Sequence, residues 1–414
     1  MARLYYGWRI VGVSLAMLAL LVGSTFSAFG LFVLPVSDEF NLSRADANTA
    51  LIILNLGGAA AAPFVGRMLD RFPIRPMIIV CTLLFGASMV TLGLSKSLWL
   101  SALILAVPLA IALLGAGTAT ATVLVARWFT IQRNRAMTIA VTGMSFGGVL
   151  ITPLVGLLIE SFGWRHALVF MACVVTAGIF ALLPLVREKP GPDDVEGGAE
   201  NAAAGAAQKR PQEAPMKSVA ILATPQFWFI SLSSALTLAI AKSITVTIVP
   251  LGQEQGLTAT LAASLISVVT GAAIIGKLLV IWAGERFDKV GALAGAFFLV
   301  GVVNVVLIFS QGMAAFITCC FFLGLALGGI MPVFYALLAS RFGAASFGAA
   351  SGLATPLITI LSAVGLRYAG EVFDRTGGYD MLFTTFAAAQ FLAMALMLCA
   401  RWPLRRAHAP EGAV

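Results

Sequence analysis

Long apolar runs, separated at nearly regular intervals by short polar segments, constrain this chain more than any other feature of its sequence. About 20 apolar residues are enough to cross the roughly 30 Å hydrocarbon core of a bilayer. Runs of that kind occur at about residues 10–34, 48–69, 76–94, 98–126, 135–159, 166–186, 221–250, 259–284, 290–310, 314–340, 347–373 and 380–401. The sequence therefore predicts an all-α integral membrane protein with twelve transmembrane helices.

The composition agrees with a membrane protein. Only 11% of the 414 residues are charged, whereas a soluble domain has about 25%. The net charge of +8 does not indicate a nucleic-acid partner, because long apolar stretches separate the cations and leave no basic face. The five cysteines all lie within apolar runs, where a thiol behaves as a small apolar group. We expect no disulfide, no metal site and no cofactor.

One polar segment divides the chain. Residues 187–220 are rich in Ala, Gly, Pro and charged residues, a composition typical of a flexible linker. Six apolar runs precede this segment and six follow it. We therefore expect an N-terminal six-helix bundle over residues 1–186, a linker over 187–220, and a C-terminal six-helix bundle with a short tail over 221–414.

The two halves also repeat each other in sequence. Residues that flank the apolar runs recur 214 or 215 positions later, among them Pro35 as Pro250 and Arg127 as Arg341. A further cluster, Gly156, Glu160 and Gly163, recurs as Gly370, Asp374 and Gly377. Such internal repeats are typical of transporters that arose by duplication. We therefore expect the two bundles to be pseudo-symmetric.

The positions of Lys and Arg predict the orientation in the membrane. If both termini are cytoplasmic, the cytoplasmic segments carry 19 of the 26 Lys and Arg residues and the outer loops carry four. Cytoplasmic loops of membrane proteins carry an excess of these residues. The sequence thus predicts a multi-pass protein of the cytoplasmic (inner) membrane, with both termini, the linker and the tail on the cytoplasmic side.

Three cations remain inside the predicted helices. These are Lys242 in helix 7, Lys277 in helix 8 and Arg367 in helix 11. An intramembrane cation is costly and usually serves a function, and all acids lie in loops, in the linker and tail, or at helix ends. We expect three uncompensated cations near the midplane, with Tyr335 and Asn55 as polar neighbours, to bind substrate. Snorkelling of Lys242 to the outer surface, and backbone bonding by Arg367, remain alternatives.

The segment between helices 2 and 3 carries a recognisable motif. It reads Gly66-Arg67-Met68-Leu69-Asp70-Arg71-Phe72-Pro73-Ile74-Arg75, and a degenerate copy between helices 8 and 9 includes Glu285 and Arg286. This motif resembles the cytoplasmic motif of the major facilitator superfamily, although Pro73 and Ile74 stand where the family usually has Gly and Arg. The resemblance covers essentially the whole chain. It implies a two-state conformational latch that comprises Gly66, Asp70, Arg71, Arg135, Glu285 and Arg286.

Shorter motifs narrow the resemblance. Tyr6-Gly7-Trp8-Arg9, Arg127-Trp128-Phe129 and Phe162-Gly163-Trp164-Arg165 are similar to segments of the monocarboxylate transporter and oxalate/formate exchanger group. That group has a basic residue, normally Arg, in helix 8, and the resemblance implies a carboxylate-binding role for Lys277 there and for Arg367 in helix 11. Lys offers a point charge where Arg offers a planar fork. The acid that the monocarboxylate carriers place four residues earlier is Ala273 here.

These features together predict a function. We expect a secondary active transporter, and not an enzyme, that moves small organic anions (mono- or dicarboxylates) by rocker-switch alternating access. Anion exchange and proton-linked symport, with H+ as the coupling ion, both remain open, and we expect a monomer in the lipid bilayer. The alternatives are a drug or cation efflux transporter, which would need a buried carboxylate, and a carrier-like sensor or channel without turnover.

Overall fold

The computed structural model describes residues 5–129, 132–191, 194, 216, 218–283, 288–309, 313–343 and 346–401, with the backbone alone at 70, 133 and 134. Every regular element within these residues is helical. The predicted linker and tail lie mostly outside the described residues, so the predicted boundaries of the three regions stay a prediction.

We number the long helices α1 to α12 along the chain. Some contain π-helical turns, such as Gly23–Ser27 in α1 and two turns in α4. The bounds are α1 Gly7–Phe40, α2 Arg44–Arg71, α3 Ile74–Leu94, α4 Leu98–Trp128, α5 133–162, α6 164–182, α7 Pro225–Glu254, α8 Ala259–Ala283, α9 Lys289–Phe309, α10 Met313–Phe342, α11 Phe347–Thr376 and α12 Asp380–Cys399.

The number of membrane crossings agrees with the sequence. In the part of the chain that the structure describes, eleven continuous helices are long and apolar enough to cross a membrane. The longest of them is interrupted at Gly163, whose φ of 79° and ψ of 161° are not helical, and it therefore comprises α5 and α6. The prediction of twelve transmembrane helices is confirmed, although α1 continues to Phe40 and not to about residue 34.

The backbone reproduces the internal repeat. Gly163 follows α5 with a φ of 79°, and Gly377 follows α11 with a φ of 69°. Asn41 follows α1 with a φ of 49°, and Gly256 lies just after α7 with a φ of 86°. Positive φ is rare outside Gly and is tolerated best by Gly and Asn. The two halves therefore end equivalent helices with the same left-handed turn.

Glycines let neighbouring helices approach to backbone contact. A Cβ atom at Gly147 of α5 would collide with the backbone of Ala19 in α1, and one at Gly328 of α10 would collide with that of Ala273 in α8. Small residues allow such close packing between membrane helices. The α8–α10 contact lies one turn before Lys277 and so fixes the position of that lysine.

The first six helices meet the last six along two main lines. The α5 helix packs against α8, and α2 packs against α11, while the second half of α1 also contacts α7. Polar and charged side chains of the two halves meet along these contacts. The predicted site residues are described below by whether they lie at the α5–α8 contact or at the α2–α11 contact.

Candidate substrate site and closed face

Two acids hold the halves together at one face by capping helices of the opposite half. The Asp374 carboxylate accepts hydrogen bonds from the backbone N–H groups of Arg44 (2.8 Å) and Ala45 (3.0 Å), at the start of α2. The Glu160 carboxylate accepts from the N–H (3.0 Å) and the hydroxyl (2.5 Å) of Thr260, at the start of α8. The first N–H groups of a helix have no partner within it and attract negative charge. The two caps occupy equivalent positions of the repeat.

An ion pair strengthens the same face. The Arg44 guanidinium contacts the Glu254 carboxylate at 2.5 Å and donates to the Tyr379 hydroxyl at 3.0 Å. It also lies 4.2 Å from the centre of the Phe373 ring, a cation–π geometry. Because Arg44 belongs to α2 and its partners to the last six helices, this cluster also joins the halves. We call the face that carries these contacts the closed face.

Arg367 belongs to this face and is not an unpaired cation. Its guanidinium donates to the Asp46 carboxylate (2.8 Å), the Thr49 hydroxyl (3.1 Å) and the Glu371 carboxylate (3.1 Å). The prediction of an uncompensated charge at Arg367 is therefore wrong. The long arginine side chain reaches an acid at the start of α2 and another one turn away on its own helix, so acids at helix ends do neutralise it.

Lys242 lies between α7 and α2. Its Nζ donates to Asn55 Oδ1 at 2.6 Å, and the Asn55 amide donates in turn to the Leu51 carbonyl at 2.5 Å. This lysine borders a cavity of about 120 Å³ between the halves, formed by α2, α7 and α11. Lys242 and Asn55, both predicted substrate-site residues, are thus in direct contact, and their role in binding stays a prediction.

Lys277 lies on the other line of contact, between α8 and α5. Its Nζ donates to the Ser145 hydroxyl at 2.9 Å, and its side chain is only partly exposed. Among the residues that the structure describes, neither Lys242 nor Lys277 has a carboxylate within 4 Å. Both lysines therefore meet the opposite half through a neutral partner.

The two lysines lie at different depths. At a rise of about 1.5 Å per residue, Lys242 is about 18 Å from the closed-face end of α7 and Lys277 is about 27 Å from that end of α8. The structure does not bring the three predicted cations into one cluster. Instead, it distributes them along the depth of the interface, with Arg367 nearest the closed face.

The described hydrogen bonds and ion pairs between the halves extend from the closed face to the level of Lys277. Lys277 is the residue of this set farthest from the closed face. Tyr335 lies farther still from that face, about 10 Å from the other end of α10, and its ring packs edge-on against Phe347 of α11.

A larger cavity lies elsewhere. Its volume is about 560 Å³, and α1 to α4 and α6 surround it with mostly apolar side chains such as Phe29, Leu54 and Trp99. Arg367 is at its edge, but neither lysine lines it. The two charged residues of its lining, Asp46 and Arg367, form an ion pair with each other, so neither offers an unpaired charge to a substrate.

Comparison with known proteins identifies the family. Residues 15–366 match the model of the Major Facilitator Superfamily. The chain belongs to this superfamily. It is 24% identical over 398 residues to monocarboxylate transporter 11 of Homo sapiens, covering 91% of this chain and 79% of that protein. It is also 24% identical over 164 residues, 40% of each chain, to the uncharacterized MFS-type transporter YcxA of Bacillus subtilis (strain 168).

Solved structures agree on the superfamily fold. A bacterial homologue of the human lysosomal transporter Spinster, in an inward-facing and unoccupied conformation, superposes with a TM-score of 0.71 at 17% identity, covering 98% of this chain and all of that one. The inward-facing, occupied form of a bacterial Spinster homologue gives 0.67 at 15% identity, over 97% of this chain and 94% of that one. The protein is therefore a multi-pass membrane transporter of the superfamily and not an enzyme.

The superfamily's cytoplasmic motif is only partly described. Gly66 has open space around its Cα, Arg71 is exposed, and the Arg135 guanidinium lies 5.7 Å from the centre of the Trp8 ring. The side chain of Asp70, and Glu285 and Arg286 entirely, lie outside the described residues. The latch therefore stays a prediction.

Sequence reasoning missed several residues that join the halves of this transporter. Ser145, the partner of Lys277, is an ordinary small residue in an apolar helix and gives no signal. Glu160 and Asp374 do give a sequence signal, because each precedes a positive-φ glycine by three residues at equivalent positions of the repeat. The repeat therefore marks the two acids as equivalent, but it does not indicate that they cap helices of the opposite half.

Proposed function

We propose that this transporter carries small organic anions, mono- or dicarboxylates. The observation that carries the proposal is the pair of lysines, Lys242 and Lys277, which lie between the halves with neutral partners and no carboxylate within 4 Å in the described part of the chain. A buried cation without a counter-ion is unfavourable. An anionic substrate would supply that counter-ion. The similarity to a protein named monocarboxylate transporter 11 supports the same class.

The substrate would bind first at Lys277. Of the three intramembrane cations, this lysine lies farthest from the closed face, so an anion that enters from the opposite side of the membrane would meet it first. We further propose that both termini are cytoplasmic, as the distribution of Lys and Arg predicts. The closed face is then the outer face of the cytoplasmic membrane, and the structure represents an inward-facing state of an alternating-access cycle.

The charge of the two lysines also bears on whether the protein works as an exchanger or a symporter. When the interface between the halves closes on an empty carrier, it would bury two lysines without a counter-ion. A bound anion makes the same region closer to neutral. Reorientation with substrate bound would therefore be faster, which is the behaviour of an exchanger. Proton-linked symport is the alternative, in which H+ takes the place of the substrate as the neutralising species. The proposed unit is a monomer.

Transport by purified protein tests the proposal. Proteoliposomes loaded with unlabelled lactate, oxalate or benzoate are assayed for uptake of the corresponding labelled anion, with wild type, Lys277→Gln and Lys96→Gln compared. Lys96 is an exposed loop lysine, so its substitution removes the same charge away from the interface. We expect counterflow by wild type and Lys96→Gln and at least a tenfold loss in Lys277→Gln.

Three outcomes would contradict the proposal. Uptake by Lys277→Gln at the wild-type rate would show that this lysine does not bind the substrate. Efflux of organic cations, together with no counterflow of any carboxylate, would favour the drug or cation transporter. Binding of a carboxylate without counterflow would indicate a sensor.

A further inference from the structure

The cavity beside Lys242 is separate from the surroundings of Lys277. Its walls come from α2, α7 and α11, and no residue of α5 or α8 lines it. Lys277 instead lies on the α5–α8 line, about 9 Å deeper along the helix axes. The two lysines therefore lie on different lines of contact between the halves, and the cavity belongs to Lys242.

The cavity also has its own set of polar groups. Lys242 and Asn55 form one wall, and the hydroxyls of Thr359 and Ser362 from α11 form another. Thr359 donates its hydroxyl proton to the Thr355 carbonyl. Ser362 is only 6% exposed, and it lines the same cavity as Lys242. A serine hydroxyl can donate a hydrogen bond to a ligand that occupies such a space.

We infer that this cavity is a second anion-binding site, specific for small monovalent carboxylates. A carboxylate there would accept hydrogen bonds from the Lys242 ammonium and from the Ser362 hydroxyl, and the Asn55 amide would help to position the lysine. The size follows from the volume of about 120 Å³. A cavity of this volume has room for a small carboxylate such as formate or acetate.

The cavity lies close to the closed face. The Lys242–Asn55 bond joins α7 to α2 about one helical turn farther from that face than Arg367, so the cavity is enclosed while the closed face is closed. An anion that entered from that face would reach Lys242 before Lys277. The inference deepens the proposed function and rests on it, because it assumes that the substrate is an anion. The binding measurement, however, does not require transport.

Thermal unfolding of the purified full chain tests the inference, because a ligand that binds only the folded state raises the Tm. Sodium formate is titrated from 0.1 to 50 mM, with sodium gluconate at equal ionic strength as the control for salt. We compare Lys277→Gln, which removes the proposed substrate lysine, with double variants that add Lys242→Gln, Ser362→Ala or Lys96→Gln to it. The last of these is the matched control, since it removes an exposed loop lysine outside the cavity.

We expect a saturable rise in Tm with formate but not gluconate, in Lys277→Gln and in its Lys96→Gln double variant alike. Adding Lys242→Gln should weaken the apparent affinity at least tenfold, and adding Ser362→Ala several-fold. The inference would be overturned by equal protection of the Lys242→Gln double variant, or by no protection of Lys277→Gln.

The design separates this inference from the proposed function. If formate protects through Lys242 while no carboxylate undergoes counterflow, the transport proposal fails and the binding site stands. If carboxylates undergo counterflow that depends on Lys277 while formate protects the Lys277→Gln/Lys242→Gln double variant as fully as Lys277→Gln, the second site fails and the transport proposal stands.

Discussion

The reciprocal helix caps at the closed face lead to a quantitative prediction. Asp374 accepts two backbone N–H groups at the start of α2, and Asp374→Asn keeps one acceptor oxygen while it removes the charge and one of these bonds. A charge-assisted hydrogen bond contributes about 1.5–3 kcal/mol when buried, and a carboxylate at a helix N-terminus about 0.3–1 kcal/mol. Because Asp374 is exposed, we expect a loss of about 1 kcal/mol from the closed state.

The second cap allows the effect to be doubled. Glu160→Gln removes the equivalent interaction at α8, where the carboxylate accepts two hydrogen bonds from Thr260. The two acids lie on different pairs of helices, so their effects should add. The double variant should lose about 2 kcal/mol, which shifts the equilibrium between the closed and open forms of this face about 30-fold, since 1.4 kcal/mol corresponds to a factor of ten.

Double electron–electron resonance, which measures the distance between two spin labels, provides the assay for opening of the closed face. Spin labels at Asp38, beside the end of α1, and at Arg375, near the end of α11, report the separation of the halves at this face, in a background where the exposed Cys173 and Cys399 are replaced by Ser. Asp380→Asn is the matched control, because Asp380 starts α12 and forms no bond to the first six helices among the described residues.

We expect a short distance in wild type and in Asp380→Asn, a longer component in each single cap variant, and more of it in the double variant. An unchanged distance distribution in the double variant would refute the capping argument. So would an equal shift in Asp380→Asn, because the effect would then follow from net charge at the face and not from the bonds between the halves.

Two other predictions concern single residues. Gly163→Ala should lower the free energy of unfolding by about 1–3 kcal/mol, because φ and ψ at this position are accessible essentially to Gly alone. Thermal unfolding should show a clear fall in Tm for this variant. Gly58→Ala is the control and should leave the Tm unchanged, because a Cβ atom at Gly58 in α2 meets open space. Arg367→Gln should open the closed face and leave carboxylate affinity within about threefold of wild type, whereas Lys277→Gln should reduce that affinity. A loss of affinity in Arg367→Gln as large as in Lys277→Gln would return Arg367 to the substrate site.

The apolar runs alone were enough to predict the twelve helices, since the length of a membrane-crossing helix is set by the thickness of the bilayer. The repeat likewise predicted where equivalent turns lie, as Gly163 and Gly377 show. The same runs also made the lysines conspicuous, because a charge inside a long apolar segment is rare and expensive. These properties depend on neighbours along the chain.

Only the tertiary structure decided which charges are paired. Arg367 and Lys277 are both cations inside long apolar runs, and the sequence places only Glu371 one turn from Arg367. The Asp46 partner of Arg367 and the serine hydroxyl that Lys277 contacts come from other helices. The difference arises because α11 packs against the acidic start of α2, whereas α8 at the level of Lys277 packs against an uncharged stretch of α5. Which helices face each other, and at what depth, depends on how the two halves fit together, and the pattern along either helix does not contain that information.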